Sequence, residues 1–372
     1  MELSLRYCLS AWRGLATNFC VLLGACGIEE RPLAAPNGGY AVEYECNDCV
    51  LRVEDPVSFT HRQLPGLTSL SEIEIDPNSE QLRFAYAPTD APGEVRLFEP
   101  GSDSARTLTR YGEGPGELGE IQALTWGGHD ILVAFGATRY STVHIASGEV
   151  VHFQFPARIS TLRVAGDGRG TLVVNNHRPV GHRFYAFRVG DTAVVGFGSS
   201  GADRESASGL DRTAFQHVAI TSEGRVFTGP VSSVWSTEVW SSAGERLVTI
   251  ARPAWHESLN QVEYERATSS SDTLELRKET PLISIGLIDE RFGMAMARAP
   301  VARPFRVGEP GSENFNGLLE VVELSTGALL ATIRFKGLSR HLSVGGWVPI
   351  ATEDSEGFIG VDFYRVRVGV NR

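Results

Sequence analysis

The chain has 372 residues, 42% hydrophobic and 21% charged, enough apolar material for a large core in roughly one to three domains. Its formal charge of −11 offers no basic footprint for a phosphate backbone, which excludes nucleic acid as a partner class. Forty glycines and eighteen prolines, with few long helical periods between them, predict many turns and an all-β class.

The N-terminus reads "MELSLRYCLSAWRGLATNFCVLLGACG". Arg6 and Arg13 precede a modest apolar run that ends at small residues, the pattern of an export signal over residues 1–25. The run is too short and too interrupted to span a bilayer. "LGAC", Leu23 to Cys26, resembles a bacterial lipoprotein box. That resemblance implies lipid on Cys26, a membrane anchor and a place in the cell envelope; an ordinary secretory signal and a misassigned start are the alternatives. Gly27 carries no acidic retention cue, which points to the outer membrane in a cell that has one. Residues 26–38 read as a polar, proline-bearing tether. Beyond them only Cys46 and Cys49 of "CNDC" are left. An oxidising compartment favours a disulfide between them, with a redox pair, half a metal site and free thiols as alternatives.

From there a pattern recurs about every 40 residues, each unit being three or four short apolar or alternating runs set off by Gly, Asp, Asn or Ser. The units begin at Glu72, Ile121, Leu162, His217 and Ile283, with a partial unit at Trp347. Turns such as "DPNSE", "GDGRG", "TSEGR" and "TEDSEG" follow the first strand, and "SGE", "VGD", "AGE" or "STG" follows the third. Four-stranded units at this spacing predict a six-bladed β-propeller of antiparallel blades over residues 39–372. Five or seven blades are the alternatives in count, and a β-sandwich array has similar strand text without the constant spacing. The segment Tyr40 to Thr60 holds spare strands, so it is expected to complete the blade begun near Trp347 and close the ring. Residues 257–280 break the β pattern and read as a helical or loop-like insertion.

Between the first two units lies "RYGEGPGELGEIQ", Arg110 to Gln122. It lacks the Lys and Ser/Thr of a phosphate loop and the spaced Asp/Asn oxygens of a calcium loop. "YGEGPGELGEIQALTW" resembles the Gly-x-Gly-Pro-Gly-Glu signature of a family of bacterial six-bladed β-propellers related to NHL-type propellers, often lipoproteins and mostly of unknown function. The resemblance covers residues 40–372 and implies that the motif joins two blades. Gly112, Gly114 and Gly116 permit unusual backbone angles, Pro115 fixes its own, and Glu117 can accept bonds from turn amides.

No nucleophile elbow, zincin or Walker pattern is present. "NNHRPVGHR" gathers Asn175, Asn176, His177, Arg178, His182 and Arg183 in a polar stretch, the best ligand-binding candidate; a solvated hairpin loop is the plainer reading. His217 reads as a satisfied strand histidine, and Trp126, Trp235, Trp240, Trp255 and Trp347 as blade core. Asn175, Glu120 and Asp289 are residue types that hold the divalent metal of lactonase propellers. The sequence therefore predicts a binding scaffold, a monomeric domain without a cofactor, whose partner is a protein, peptide or glycan. The alternative is a metal-dependent hydrolase, lactonase or polysaccharide lyase with its site in the channel.

Overall fold

The structure is a computed structural model that describes residues 33–34, 40–44, 49–67, 73–88, 90–112, 114, 116–155, 161–176, 181–198, 216–230, 236–251, 266–269, 272–275, 282–298, 317–335, 339, 341–353 and 359–370. All regular structure among them is β. Six small antiparallel sheets form a ring, a six-bladed β-propeller.

The first blade is Ile73–Ile75, Phe84–Tyr86, Arg96–Phe98 and Arg106–Thr107, the second Ala123–Gly128, Ile131–Phe135, Arg139–His144 and Val150–Gln154. The third is Thr161–Gly166, Thr171–Asn176, Phe184–Arg188 and Val194–Phe197, the fourth Gln216–Ile220, Val226–Pro230, Ser236–Trp240 and Arg246–Ala251. The fifth runs Leu282–Leu287, Phe292–Arg298, Gly317–Glu323 and Leu329–Phe335. The sixth pairs Trp347–Glu353 with Ile359–Val370 and then with Cys49–Phe59, brought from the N-terminus. In each blade the first strand lies innermost. One face of the ring therefore carries the loops that enter these inner strands, and the other carries the turns that leave them; they are called here the entry face and the exit face.

A blade has two apolar faces and no core of its own, so its stability comes from its neighbours. Six hydrophobic clusters record this, one at each junction. Trp126 and Leu132 meet Ala85 and Leu97 between the first and second blades. Val133 and Tyr140 meet Val174 and Phe187 at the next junction, and Phe184 and Phe197 meet Val218 and Val226 at the third. Phe227 packs with Leu287 and Val322, and Met294 and Ile333 pack with Val348 and Val366. The ring shuts where Phe59 and Phe363 of the sixth blade meet Phe84 and Phe98 of the first. Phe59 lies edge-on to Phe98 at 4.7 Å and to Phe84 and Phe363 at 5.6 Å each.

The closing strand differs from the sequence expectation. Only Cys49–Phe59 completes the blade begun at Trp347; Tyr40–Tyr44 adds instead to the outer strand of the fifth blade, with Tyr40 opposite Phe335 and Tyr44 opposite Ala331. Leu33–Ala34 pairs with Tyr40–Tyr44 in turn, so the stretch read as a tether contains a strand and the fifth sheet has six. Pro56 is tolerated in Cys49–Phe59 because the strand is outermost and its register breaks there, Glu54 facing Arg365 and Val57 facing Phe363. In the segment read as an insertion, Arg266–Ser269 and Asp272–Glu275 form a separate two-stranded ladder, so part of the text read as helical or loop-like is strand. Cys26, Cys46, Pro115, His177 and Arg178 lie outside the described residues.

Candidate functional site

The inner strands surround a central channel that the described residues nearly fill. Its lining includes Glu74, Trp126, Gly166, Ala219, Gly286 and Ser343, and the cavity between them is about 30 Å³. That holds one or two waters and no sugar or lactone ring. Trp126 fills much of the space, its indole N–H donating to the Glu74 carbonyl at 3.1 Å. The segment 341–346, leading into the sixth blade, fills more: Leu287 N–H donates to the Ser343 carbonyl and Gly346 N–H to the Leu287 carbonyl. A Cβ on Gly286 would stand 2.7 Å from the Leu342 Cβ, so that glycine lets the segment lie against the fifth blade.

The exit end is laced shut by its turns. Asp76, Asp167 and Asp289 each cap their turn by accepting backbone N–H groups, from Asn78, from Arg169 and Thr171, and from Arg291 and Phe292. The turns also hold one another. Asn78 donates its amide to the Gly168 carbonyl two blades away at 3.0 Å, and Arg169 donates to the Ser222 carbonyl at 3.3 Å. The Glu290 carboxylate accepts from Ser222 N–H at 2.9 Å and Glu223 N–H at 3.1 Å. Burial pushes the Glu290 carboxyl up, but the Ser222 and Thr221 hydroxyls and these amides prevail and hold it below the usual range.

Charge enters the channel at one place. Glu74 on the first inner strand lies 3.0 Å from Nε2 of His341. Arg163 on the third is lowered by burial and raised by the charge of Glu74. His217 on the fourth is buried, and its Nε2 has no hydrogen-bond partner among the described residues. Burial, then Arg163 and His341, hold His217 well below the ordinary histidine value of 6.5. The folded chain thus keeps this ring neutral where the unfolded chain protonates it. The stability it contributes is present above about pH 6.5 and is lost as pH falls toward the folded value, at about 1.4 kcal/mol per pH unit. Urea midpoints measured from pH 7 to pH 5 should fall more steeply for the native chain than for His217→Gln. Equal slopes would remove the assignment.

At the entry face the glycine motif builds a clasp between the first two blades. Arg110–Tyr111 and Glu117–Leu118 pair in parallel, and Gly112 N–H donates to the Leu118 carbonyl at 2.9 Å. The Glu117 carboxylate accepts from Gly114 N–H at 2.8 Å and crowds Gly112, where a Cβ would come within 2.0 Å of it. Gly116 adopts a φ of 76°. Behind the clasp a cleft of about 240 Å³ is lined by Leu118 to Ile121, Ala134 to Arg139 and Ser141. Glu120 is exposed at its lip, and Tyr111 on the clasp is 64% exposed, the most open of the large apolar side chains described.

The described ends of the polar stretch of the third blade are more enclosed than its composition suggests. Asn175 and Asn176 end the strand Thr171–Asn176 and are fully buried; their amides donate to the carbonyls of Arg183 and His182. His182 is exposed and edge-on to Tyr185, whose hydroxyl accepts its N–H. Arg183 has its Nε buried without a hydrogen-bond partner among the described residues. The described members of this group tie a hairpin together. Glu120 at the entry face, Asn175 inside a strand and Asp289 on an exit-face turn do not converge on one site. Among the described residues no three or more His, Cys, Asp or Glu are grouped to hold a metal ion. Sequence reasoning missed the grouping of Glu74, Arg163, His217 and His341, although Glu74 and Arg163 break otherwise apolar inner strands.

No protein-family model and no curated protein matches this chain. Solved structures resemble it at low identity, a β-propeller domain among them. The structure of U3-55K is 12% identical, covers 87% of this chain and 99% of its own, and superposes with a TM-score of 0.44. TolB from Acinetobacter baumannii is 9% identical over 71% of this chain and 53% of its own, with a TM-score of 0.40. The Cps50 (Swd1) β-propeller domain of Myceliophteria thermophila is 9% identical over 86% of this chain and 100% of its own, also at 0.40.

Proposed function

We propose that this chain is a cell-envelope binding propeller, anchored through lipid on Cys26, that holds a protein or peptide partner on its entry face. The carrying observation is the contrast in space. The channel offers about 30 Å³, whereas the entry-face cleft offers about 240 Å³ beside an exposed tyrosine. The cleft falls below the ~300–1,000 Å³ of small-molecule sites and suits one or two side chains of a larger partner. Tyr111 supplies the rigid amphipathic contact that concentrates binding energy at protein interfaces. The cavity described in the channel is smaller than a sugar or lactone ring, which favours the binding reading over hydrolysis at that place.

A photo-crosslinking residue placed at Tyr111 or Glu120 of the full-length chain, in the cells that make it, tests the reading. A discrete protein adduct should form at both positions and not at Glu223 on the exit face. Ala137→Trp, which fills the cleft from its exposed edge, should abolish the adduct at Tyr111 while the chain stays folded. Adducts at the exit face alone, or adducts that survive Ala137→Trp, would refute the site.

A further inference from the structure

We infer that the rim of the fifth blade is the side of the molecule that faces the lipid bilayer, so that the ring stands edge-on to the membrane. This rests on the lipidation of Cys26 proposed above and on the path of the chain after it. The N-terminal segment leaves the ring from neither loop face and not from the channel. It leaves from the outer edge of one sheet. Tyr40–Tyr44 is paired along the outermost strand of the fifth blade, and Leu33–Ala34 is paired outside that. Leu33–Ala34 and Tyr40–Tyr44 are therefore both held at the rim.

Cys26 lies seven residues before Leu33, a span of seven peptide links. Fully extended at ~3.5 Å per link that span reaches about 25 Å, and a lipidated cysteine lies at the headgroup level. The edge of the fifth blade is thereby held within about 25 Å of the bilayer surface. The second blade, three places round a ring of six, is carried to the far side. Leu33–Ala34 also leaves one strand edge unpaired among the described residues, and pointing it at the membrane shields it from pairing with other chains. Attachment at the rim leaves both loop faces in water, so the entry-face cleft stays open to a partner approaching along the membrane plane. A tether free over all of residues 26–38 would leave the ring more room to turn; pairing at Leu33 shortens the free span to the links between Cys26 and Leu33.

Two equivalent positions report the orientation. Ser147 in the second blade and Thr326 in the fifth each precede the glycine of the turn between third and fourth strands. In both turns that glycine N–H closes on a carbonyl four residues back, Gly148 on His144 and Gly327 on Glu323, and both side chains are exposed. A nitroxide carried on a bio-orthogonal residue at one or the other, in the lipidated full-length chain bound to phosphatidylglycerol and phosphatidylethanolamine vesicles, is relaxed by a nickel-chelating lipid. Relaxation should be several-fold faster at Thr326 than at Ser147, and a flexible Gly/Ser linker of about 20 residues inserted after Gly27 should erase the difference. Equal rates in a chain whose mass shows lipid at Cys26, or a faster rate at Ser147, would overturn the rim inference and leave the anchor standing. An unmodified Cys26, with Cys26→Ser fractionating like the native chain, would overturn the anchor and the inference together.

Discussion

A chain that begins at residue 61 should fail to fold, whereas one that begins at residue 45 should fold and unfold in one cooperative step. The two truncations remove different parts of the N-terminal segment. The longer one takes Cys49–Phe59, whose nine register pairs with Val361 to Val370 complete the sixth blade. With it go Phe59, 6% exposed among Phe84, Phe98 and Phe363, and Leu51, 5% exposed against Met294 and Val366. Loss of a buried Phe costs about 3–5 kcal/mol and of a buried Leu about 2–5, before the open ladder is counted. Together they match the ~5–15 kcal/mol that holds an ordinary domain folded. They also act on two junctions at once, because Leu51 and Phe59 lie on opposite sides of their blade. The shorter truncation takes only Leu33–Ala34 and Tyr40–Tyr44. Its cost is five cross-strand pairs with the fifth blade, about 1–5 kcal/mol at most. Thermal circular dichroism with size-exclusion chromatography separates the two. A cooperative transition in the chain that begins at residue 61 would show that the ring is not closed by this strand.

This contrast also marks where the sequence stops being informative. Strand text, turn text and their spacing are local properties. The starts of the inner strands at Ile73, Ala123, Thr161, Gln216, Leu282 and Trp347 fall within a residue or two of the starts of the repeated units. Which sheet a spare strand joins is a long-range choice. "YAVEY" and "CVLRVEDPVSF" are equally strand-like neighbours, yet one extends the fifth blade and the other closes the sixth. The burial of Asn175 and Asn176 was out of reach for a different reason. Composition says that asparagines prefer water; it does not say that carbonyls at His182 and Arg183 wait inside the hairpin to satisfy them. The channel charges were beyond reach for a third reason. Glu74, Arg163 and His217 come from three inner strands and His341 from the segment leading into the sixth blade, and they meet only because the ring brings these elements together.

Trp126→Ala should cost about 3–5 kcal/mol, the range for deleting a large buried aromatic, although the residue lines the channel where a ligand platform would stand. The side chain is 1% exposed. Its indole N–H ties the second inner strand to the first through the Glu74 carbonyl, and Arg83 of the first blade lies over its ring at 5.3 Å. Arg83 itself reaches Asp76 at 3.0 Å and Asp130 at 3.2 Å, so the cation on the tryptophan is also the link between two exit-face turns. The backbone at the same position meets the third blade, where a Cβ on Gly166 would stand 1.9 Å from the Trp126 carbonyl. One residue thus touches three consecutive blades at their narrowest approach. Trp126→Phe keeps most of the volume and loses the N–H donor, so it should cost about 1–2 kcal/mol, close to one buried hydrogen bond. Urea titration of both variants distinguishes a keystone from a platform. A platform exposed to ligand would lose binding and keep its stability, and an unchanged midpoint for Trp126→Ala would place this residue in that class. The packing around the indole predicts the opposite order, with stability falling first and any loss of partner binding at the entry-face cleft following as the junction of the first two blades loosens.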